Sequence, residues 1–297
     1  MNAAVIALLA VNILYGINYA VAKYIMPVPF NPTGIIFMRS AGALILFWLL
    51  AFTRPIERID PKDWIRLLLC SVFGVMLNQT LFFEGLNRSS PVESALVMTI
   101  SPILVLLFSA GVGLEKMQKT KWIGILLSGG GAVALILQRQ EGVLFSQSHG
   151  FGNLLVLINA ASFSVFLVMV KPLMKKYSPI TVMAWVFTFG MPMTAILGLP
   201  DLAKTNLTSI STEVWWAVAY VVIGVTFLAY LLNIYALKRV NASLVSAFIY
   251  LQPLLAGVIQ LFFGDFEMSN TLITASIFIF VGLFLMTIEQ KEKGVPN

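Results

Sequence analysis

Apolar runs of about twenty residues recur along almost the whole chain, separated by short polar breaks. A run of that length crosses roughly 30 Å of hydrocarbon as a helix. The runs predict ten spans, at about 3–23, 32–52, 64–86, 92–112, 119–137, 152–172, 179–199, 214–237, 242–263 and 270–289. Two of them carry a proline near the middle, Pro102 in the fourth and Pro253 in the ninth. Proline removes a backbone hydrogen bond inside a helix, and in lipid the freed carbonyl is tolerated only where protein or a wet cavity satisfies it. Both centres are also polar, with Thr99 and Ser101 before one proline and Tyr250 and Gln252 before the other. The pattern therefore predicts two kinked helices lining a central cavity, the fold being an all-α membrane protein.

The two prolines belong to a longer correspondence. GLNRSSPVESALVMTISPILVLLF, from Gly85, lies without gaps over ALKRVNASLVSAFIYLQPLLAGVI, from Ala236, at a constant offset of 151. Arg88 falls on Arg239, Pro102 on Pro253, Gly113 on Gly264, Met117 on Met268, Gly131 on Gly282 and, upstream, Trp64 on Trp215. Two halves follow, 3–137 and 152–289, each with five spans. An odd number makes the second half enter the membrane upside down, the inverted-topology repeat of secondary transporters, with substrate held near the midplane.

Composition fits a chain that is almost all membrane. Of 297 residues 59% are hydrophobic and 11% charged, with mean hydropathy +0.91; soluble proteins carry about 25% charged residues. The net charge of +6 suggests no nucleic-acid partner, because the basic residues are scattered between apolar runs. Fourteen fall on one side: Arg54, Arg58, Lys62, Arg66, Lys116, Lys119, Lys121, Lys171, Lys175, Lys176, Lys238, Arg239, Lys291 and Lys293. Only Lys23, Arg88, Arg139 and Lys204 fall on the other. The positive-inside rule makes the first side, and both termini, cytoplasmic. The first run, MNAAVIALLAVNILYG, has no basic segment before it and is too long for a signal peptide, so it is expected to be a retained helix. A cytoplasmic or inner membrane is the expected location and the lipid bilayer the constant partner; the oligomeric state stays open, a monomer included.

Depth along each span gives the candidate cavity residues: Asn12, Tyr15 and Asn18 in the first, Asn78 and Gln79 in the third, Asn159, Ser162 and Ser164 in the sixth, Tyr230 and Asn233 in the eighth. With Thr99, Ser101, Tyr250 and Gln252 they describe a polar, largely uncharged chamber, to which Trp185, Phe163 and Phe166 could add apolar walls. Any single Asn or Ser could equally be interhelical glue. Arg39 is the outlier, about 10 Å in from the end of its helix. It could snorkel to the surface, pair with Glu84, or receive a substrate carboxylate; Glu84 could instead serve Arg88 as an i,i+4 pair. Only Glu84 and Glu93 resemble titratable membrane carboxylates, and both lie toward the outer interface, so no proton relay is evident. One cysteine, Cys70, and one histidine, His149, leave no multi-cysteine metal site, no catalytic pair at depth and no cofactor motif, and an enzyme is not expected. The small face of Gly124 and GGGAV, at 129–133, reads as close helix packing rather than a phosphate loop.

The ordered pair of motifs resembles the EamA-type members of the drug/metabolite transporter superfamily. It is carried by LYGINYAVAK (14–23), Arg39 in FMRSAGALIL, the proline helix followed by GLEKM (113–117), and its counterpart followed by GDFEM (264–268). The resemblance implies a ten-helix inner-membrane carrier exporting metabolites, amino acids including aromatic ones among them, through a cavity formed by spans one, three, four, six, eight and nine. Lys23 and Arg39 match positions where the family often carries the same charges. The first span lacks the embedded glutamate that small four-helix multidrug relatives use for proton antiport. Lys23 is matched only loosely by Lys171, and nothing charged matches Arg39 in SPITVMAWVF. Export of a small-molecule substrate by alternating access is the leading expectation; proton-coupled efflux of cationic compounds and, more distantly, a lipid-handling intramembrane enzyme are the alternatives.

Overall fold

The computed structural model describes residues 2–55, 57–138, 149–252, 255 and 270–292. These residues contain helices and connections and no strand. The α-helices are α1 (Asn2–Ile25), α2 (Pro32–Ala51), α3 (Trp64–Ser71), α4 (Leu77–Asn87), α5 (Pro91–Met98), α6 (Ser101–Gly111), α7 (Lys119–Gln138), α8 (Gly150–Val170), α9 (Pro179–Lys204), α10 (Thr212–Ala219), α11 (Ala229–Arg239), α12 (Ala242–Ala247) and α13 (Asn270–Glu292). Local chemistry sets several starts. Pro32, Pro91 and Pro179 occupy first turns, where a missing N–H costs nothing. Ser90 and Ser178 accept the amide N–H of Glu93 (3.1 Å) and Thr181 (3.2 Å) as N-caps.

Among the described residues seven helical stretches are long and apolar enough to cross a membrane: Ala3–Ile25, Pro32–Ala51, Pro61–Asn87, Glu93–Gly111, Gly150–Lys175, Pro179–Lys204 and Thr212–Arg239. They coincide with the expected spans one to four and six to eight. Helices α7 and α13 lie over the expected fifth and tenth, the latter with a shorter apolar stretch, Ile273–Met286. Most of the second half of the expected ninth span, Pro253 included, lies outside the described residues.

The rods are interrupted at matching places. π-Helical turns at Val72–Met76 join α3 to α4, and π-helical turns at Tyr220–Leu228 join α10 to α11. Shifted by 151, the first segment falls at 223–227, inside the second. The fourth span breaks between α5 and α6 at Thr99 and Ile100, whose amides bond three residues back to Leu96 (3.1 Å) and Val97 (3.2 Å), just before the buried Pro102. At the equivalent place, Phe248–Tyr250, the chain after α12 tightens into a 3₁₀ turn.

Packing also follows the offset. Helices α7 and α13 run antiparallel, and the Ser128 hydroxyl donates to the Ile279 carbonyl at 3.1 Å, a pair 151 residues apart. On one side of this pair Gly124 lies against the Gly282 carbonyl, and on the other Gly131 lies against the Ala275 carbonyl, so the small face serves close packing. Helices α2 and α9 are likewise antiparallel: Gly198 meets the Thr33 carbonyl, Phe47 stacks on Phe187 at 5.3 Å, and the Trp48 indole N–H donates to Thr188 at 2.8 Å.

Two lysines perform one task. The Lys23 ammonium, near the end of α1, donates to the carbonyls of Leu86 (3.0 Å), Asn87 (3.0 Å) and Ser89 (2.9 Å), where α4 ends. Lys171, following α8, donates to the carbonyls of Leu237 and Val240, where α11 ends. Three donors and a positive charge suit the orphan carbonyls and negative dipole of a helix C-terminus. Leu86 and Leu237 are 151 apart, as are Ser89 and Val240, so the loose sequence match between Lys23 and Lys171 is a close structural one.

Candidate functional site

The middle of the helix assembly holds a cavity whose wall mixes polar groups with a larger apolar surface. Counted to its open mouth it spans about 550 Å³, with about 70 Å³ free to the centre of a water-sized molecule, enough for several waters. Tyr15, Asn18 and Tyr19 reach it from α1, Arg39 from α2, and Asn78, Gln79 and Phe82 from α4. Met98 closes it from α5, Asn159 and Phe163 from α8, Val225 and Tyr230 from the second π segment and α11, and Ile249 and Gln252 from the chain after α12. These elements correspond to spans one, two, three, four, six, eight and nine.

Arg39 is 4% exposed. Its Nε donates to Thr226 Oγ1 at 2.8 Å, and its guanidinium carbon lies 4.6 Å from the centre of the Phe83 ring. Thr226 belongs to the π segment and donates its own proton to the Val221 carbonyl five residues back, at 2.7 Å, leaving its lone pair for the arginine. No carboxylate among the described residues forms an ion pair with Arg39. Glu84 pairs instead with Arg88 one turn on, in a half-exposed contact. Of the three fates open to Arg39, burial removes snorkelling and the Glu84–Arg88 pair removes the Glu84 partner.

The other polar lining residues are tied to one another. The Tyr230 hydroxyl lies 2.7 Å from the Gly74 carbonyl and 3.0 Å from Asn78 Oδ1. Asn159 donates to the Asn78 carbonyl at 2.6 Å, and Gln79 Oε1 accepts from Ser40 at 3.2 Å. Of these acceptors the Gly74 carbonyl belongs to the first π segment, where a widened turn displaces backbone carbonyls from their usual partners.

Eight of the fifteen expected residues line the cavity: Tyr15, Asn18, Arg39, Asn78, Gln79, Asn159, Tyr230 and Gln252. Two more stand behind it as supports. Asn12 accepts from Gln252 at 3.1 Å, and Asn233 donates to the Tyr15 hydroxyl at 3.1 Å. The remaining five are placed elsewhere. Ser162 donates to the Phe73 carbonyl at 2.7 Å, and the Ser101 carbonyl accepts from Ser164 at 3.3 Å, both within helix contacts. Thr99 and Tyr250, 151 residues apart, line a separate apolar groove beside α7 and α8 with Ile100, Ile103 and Gly129. Their chain predecessors, Met98 and Ile249, face the central cavity instead. One residue turns a helix by 100°, so the interrupted turns put Met98 and Ile249 on the cavity and their neighbours outside it.

Two aromatic expectations are corrected as well. Trp185 packs edge-on against Trp48 (5.2 Å) and Trp64 (4.7 Å), away from the cavity, and Phe166 lies against Gly74 behind the wall. Thr226, Tyr19, Phe82, Met98, Val225 and Ile249 were not singled out by depth and polarity. The titratable pair lies elsewhere: the buried Glu93 holds His149 Nδ1 at 2.7 Å and Asn153 Nδ2 at 2.5 Å, where α5 and α8 begin. Among the described residues no carboxylate, histidine or cysteine lines the cavity, and no cluster suited to a metal ion occurs.

The profile of the EamA-like transporter family matches residues 2–137 and again residues 150–288. The chain belongs to the EamA-like transporter family. Similar proteins include the Bacillus subtilis uncharacterized transporter YyaM, 24% identical over 87% of this chain and 85% of its own. A transporter of Archaeoglobus fulgidus is 23% identical over 88% of this chain and 90% of its own, and a WAT1-related protein of Arabidopsis thaliana is 25% identical over 97% and 86%. A crystal structure that covers 97% of this EamA-like chain and 98% of its own superimposes with a TM-score of 0.77 at 20% identity, which shows a shared fold. As an EamA-like protein the chain is a multi-pass membrane transporter rather than an enzyme.

Proposed function

We propose that this transporter exports small metabolites across the cytoplasmic membrane by alternating access, with amino acids as the first substrates to try. The observation that carries the reading is the central cavity itself. Amides, phenols and one guanidinium converge at mid-span among helices that are otherwise apolar, and such polarity inside a membrane is costly unless it serves a passenger. Ten spans in two inverted halves, 3–137 and 152–289, with both ends cytoplasmic, complete the proposal. It is supported by the twofold family match and by the antiparallel α7–α13 contact through Ser128 and Ile279. Rocking of the halves about that contact would expose the cavity alternately to the two sides.

Purified protein in proteoliposomes is expected to give saturable flux of at least one member of an amino-acid and small-metabolite panel. Absence of saturable flux from monodisperse protein, for every member, overturns the reading. Proton-coupled efflux of cationic compounds needs an acid where the cation binds, and the described lining residues supply none. Glu84→Gln is accordingly expected to leave flux within about twofold of wild type. It removes only an exposed i,i+4 pair, worth about 0.5 kcal/mol or less, and a tenfold loss of flux would restore the proton-coupled alternative.

A further inference from the structure

We infer that the central cavity is a carboxylate site. It takes a small acid or zwitterion whose acid group rests on Arg39 and whose N–H or O–H donors meet Asn18 and Asn159. This names the substrate class and rests on the transporter reading above.

The argument begins with the guanidinium. It is permanently charged at any working pH and cannot escape the cost of burial by losing a proton. One of its five N–H groups is used on Thr226, and Phe83 covers one face. Neither supplies a negative charge, and no described carboxylate pairs with it. A buried cation is normally held by a hydrogen-bonded anion, and an anion that the protein does not provide can be brought by a ligand. The planar fork of an arginine fits the two oxygens of a carboxylate.

Three further atoms of residues lining the same cavity are buried and have no partner: Gln79 Nε2, Asn18 Oδ1 and Asn159 Oδ1. Their residues are 1%, 3% and 1% exposed. Buried polar atoms are satisfied in the great majority of cases, so three around one cavity describe a missing complement. One is a donor and two are acceptors. With the arginine they ask for an acceptor-rich anionic group at one place and donors at another, which is the pattern of a 2-amino or 2-hydroxy acid. A lone cation would meet Arg39 with like charge and leave its fork unused. The modest free volume favours a molecule of few atoms.

The test uses matched triplets in which alanine, serine, leucine and phenylalanine are each offered as the amino acid, as the acid without its amino group, and as the amide without its acid. Binding to the full chain in nanodiscs is read by thermal shift and by calorimetry. The acids of at least one triplet are expected to bind, the amide at least tenfold more weakly. Arg39→Gln should weaken the acid at least tenfold, with Arg39→Lys between. Gln79→Glu, nearly isosteric, should give Arg39 an internal anion. It is expected to raise the ligand-free melting temperature while lowering acid affinity at least tenfold, a combination that a purely structural role for Arg39 would not produce. Amides binding as tightly as acids, no acid binding at all, or unchanged acid affinity in a folded Gln79→Glu protein would each overturn the inference. Saturable flux of neutral solutes alone would do so too, while leaving the transporter reading intact; absence of all flux would remove that reading itself.

Discussion

Glu115→Ala is expected to destabilise the protein by about 3–5 kcal/mol, the cost typical of removing one partner from a buried ion pair. Glu115 lies in the connection between α6 and α7. One carboxylate oxygen receives the Lys121 ammonium and the Ser243 hydroxyl, each at 2.5 Å, and the other receives the Ser243 amide N–H at 3.0 Å. The side chains of Lys121 and Glu115 are 4% and 3% exposed. Alanine leaves the ammonium buried without an anion and orphans the first turn of α12 at the same time. Thermal or denaturant unfolding in detergent measures the loss. Replacing both partners by leucine is expected to recover most of it, because two apolar groups incur no charge desolvation. A loss below about 1 kcal/mol for the single alanine would mean that water reaches the lysine and the pair is not buried in solution.

Gly282→Leu is expected to be nearly as damaging, for reasons of space. A Cβ on Gly282 would stand against the Ser128 hydroxyl, 2.5 Å from the Gly124 carbonyl and 2.8 Å from the Ser128 amide nitrogen. Two of those three atoms are backbone and cannot swing away, so α7 and α13 must separate. Inserting methylenes into a packed interior costs about 1–3 kcal/mol where side chains can adjust; here the cost should reach the upper end or pass it. Gly131→Leu should act in the same direction, because its Cβ would lie 2.8 Å from the Ala275 carbonyl. Gly130, with no atom within 4 Å of its would-be Cβ, is the control; alanine there removes a glycine from a helix interior and is expected to be neutral or slightly stabilising, by up to about 1 kcal/mol. Unfolding temperatures of the three variants decide the matter, and equal behaviour of Gly130 and Gly282 would show that the interface is looser than described.

The legible part of the fold is the part that hydropathy controls. Water and lipid sort whole segments, so the long rods, their limits and the polar residues at mid-depth could be read from runs alone. The offset of 151 was legible because Pro, Gly and Trp cannot be exchanged freely, and it reappears in Ser128 against Ile279 and in the carbonyls that the two lysines hold. Direction around each rod was less legible. Depth placed Trp185 and Tyr250 at the centre, but depth carries no azimuth, and both side chains face other ways. Thr99 lies outside the cavity for the same reason, one residue beyond Met98 in an interrupted turn.

The π segments were illegible because a widened turn has no composition of its own; VFGVM and YVVIGVTFL read as ordinary apolar helix. That hid Thr226, whose hydroxyl holds Arg39 only because the turn delivers it there. Lys171 was partly legible as a charge at the end of a span, whereas its task of closing α11 needed coordinates.

Ser128 and Ile279 occupy the same post in the two halves, and there each meets its own twin. A change made at one of them is therefore felt at once by the residue 151 positions away. Neither residue can change its bulk or its hydrogen bonding without the other answering, so this crossing point of α7 and α13 ties the two stretches of sequence together.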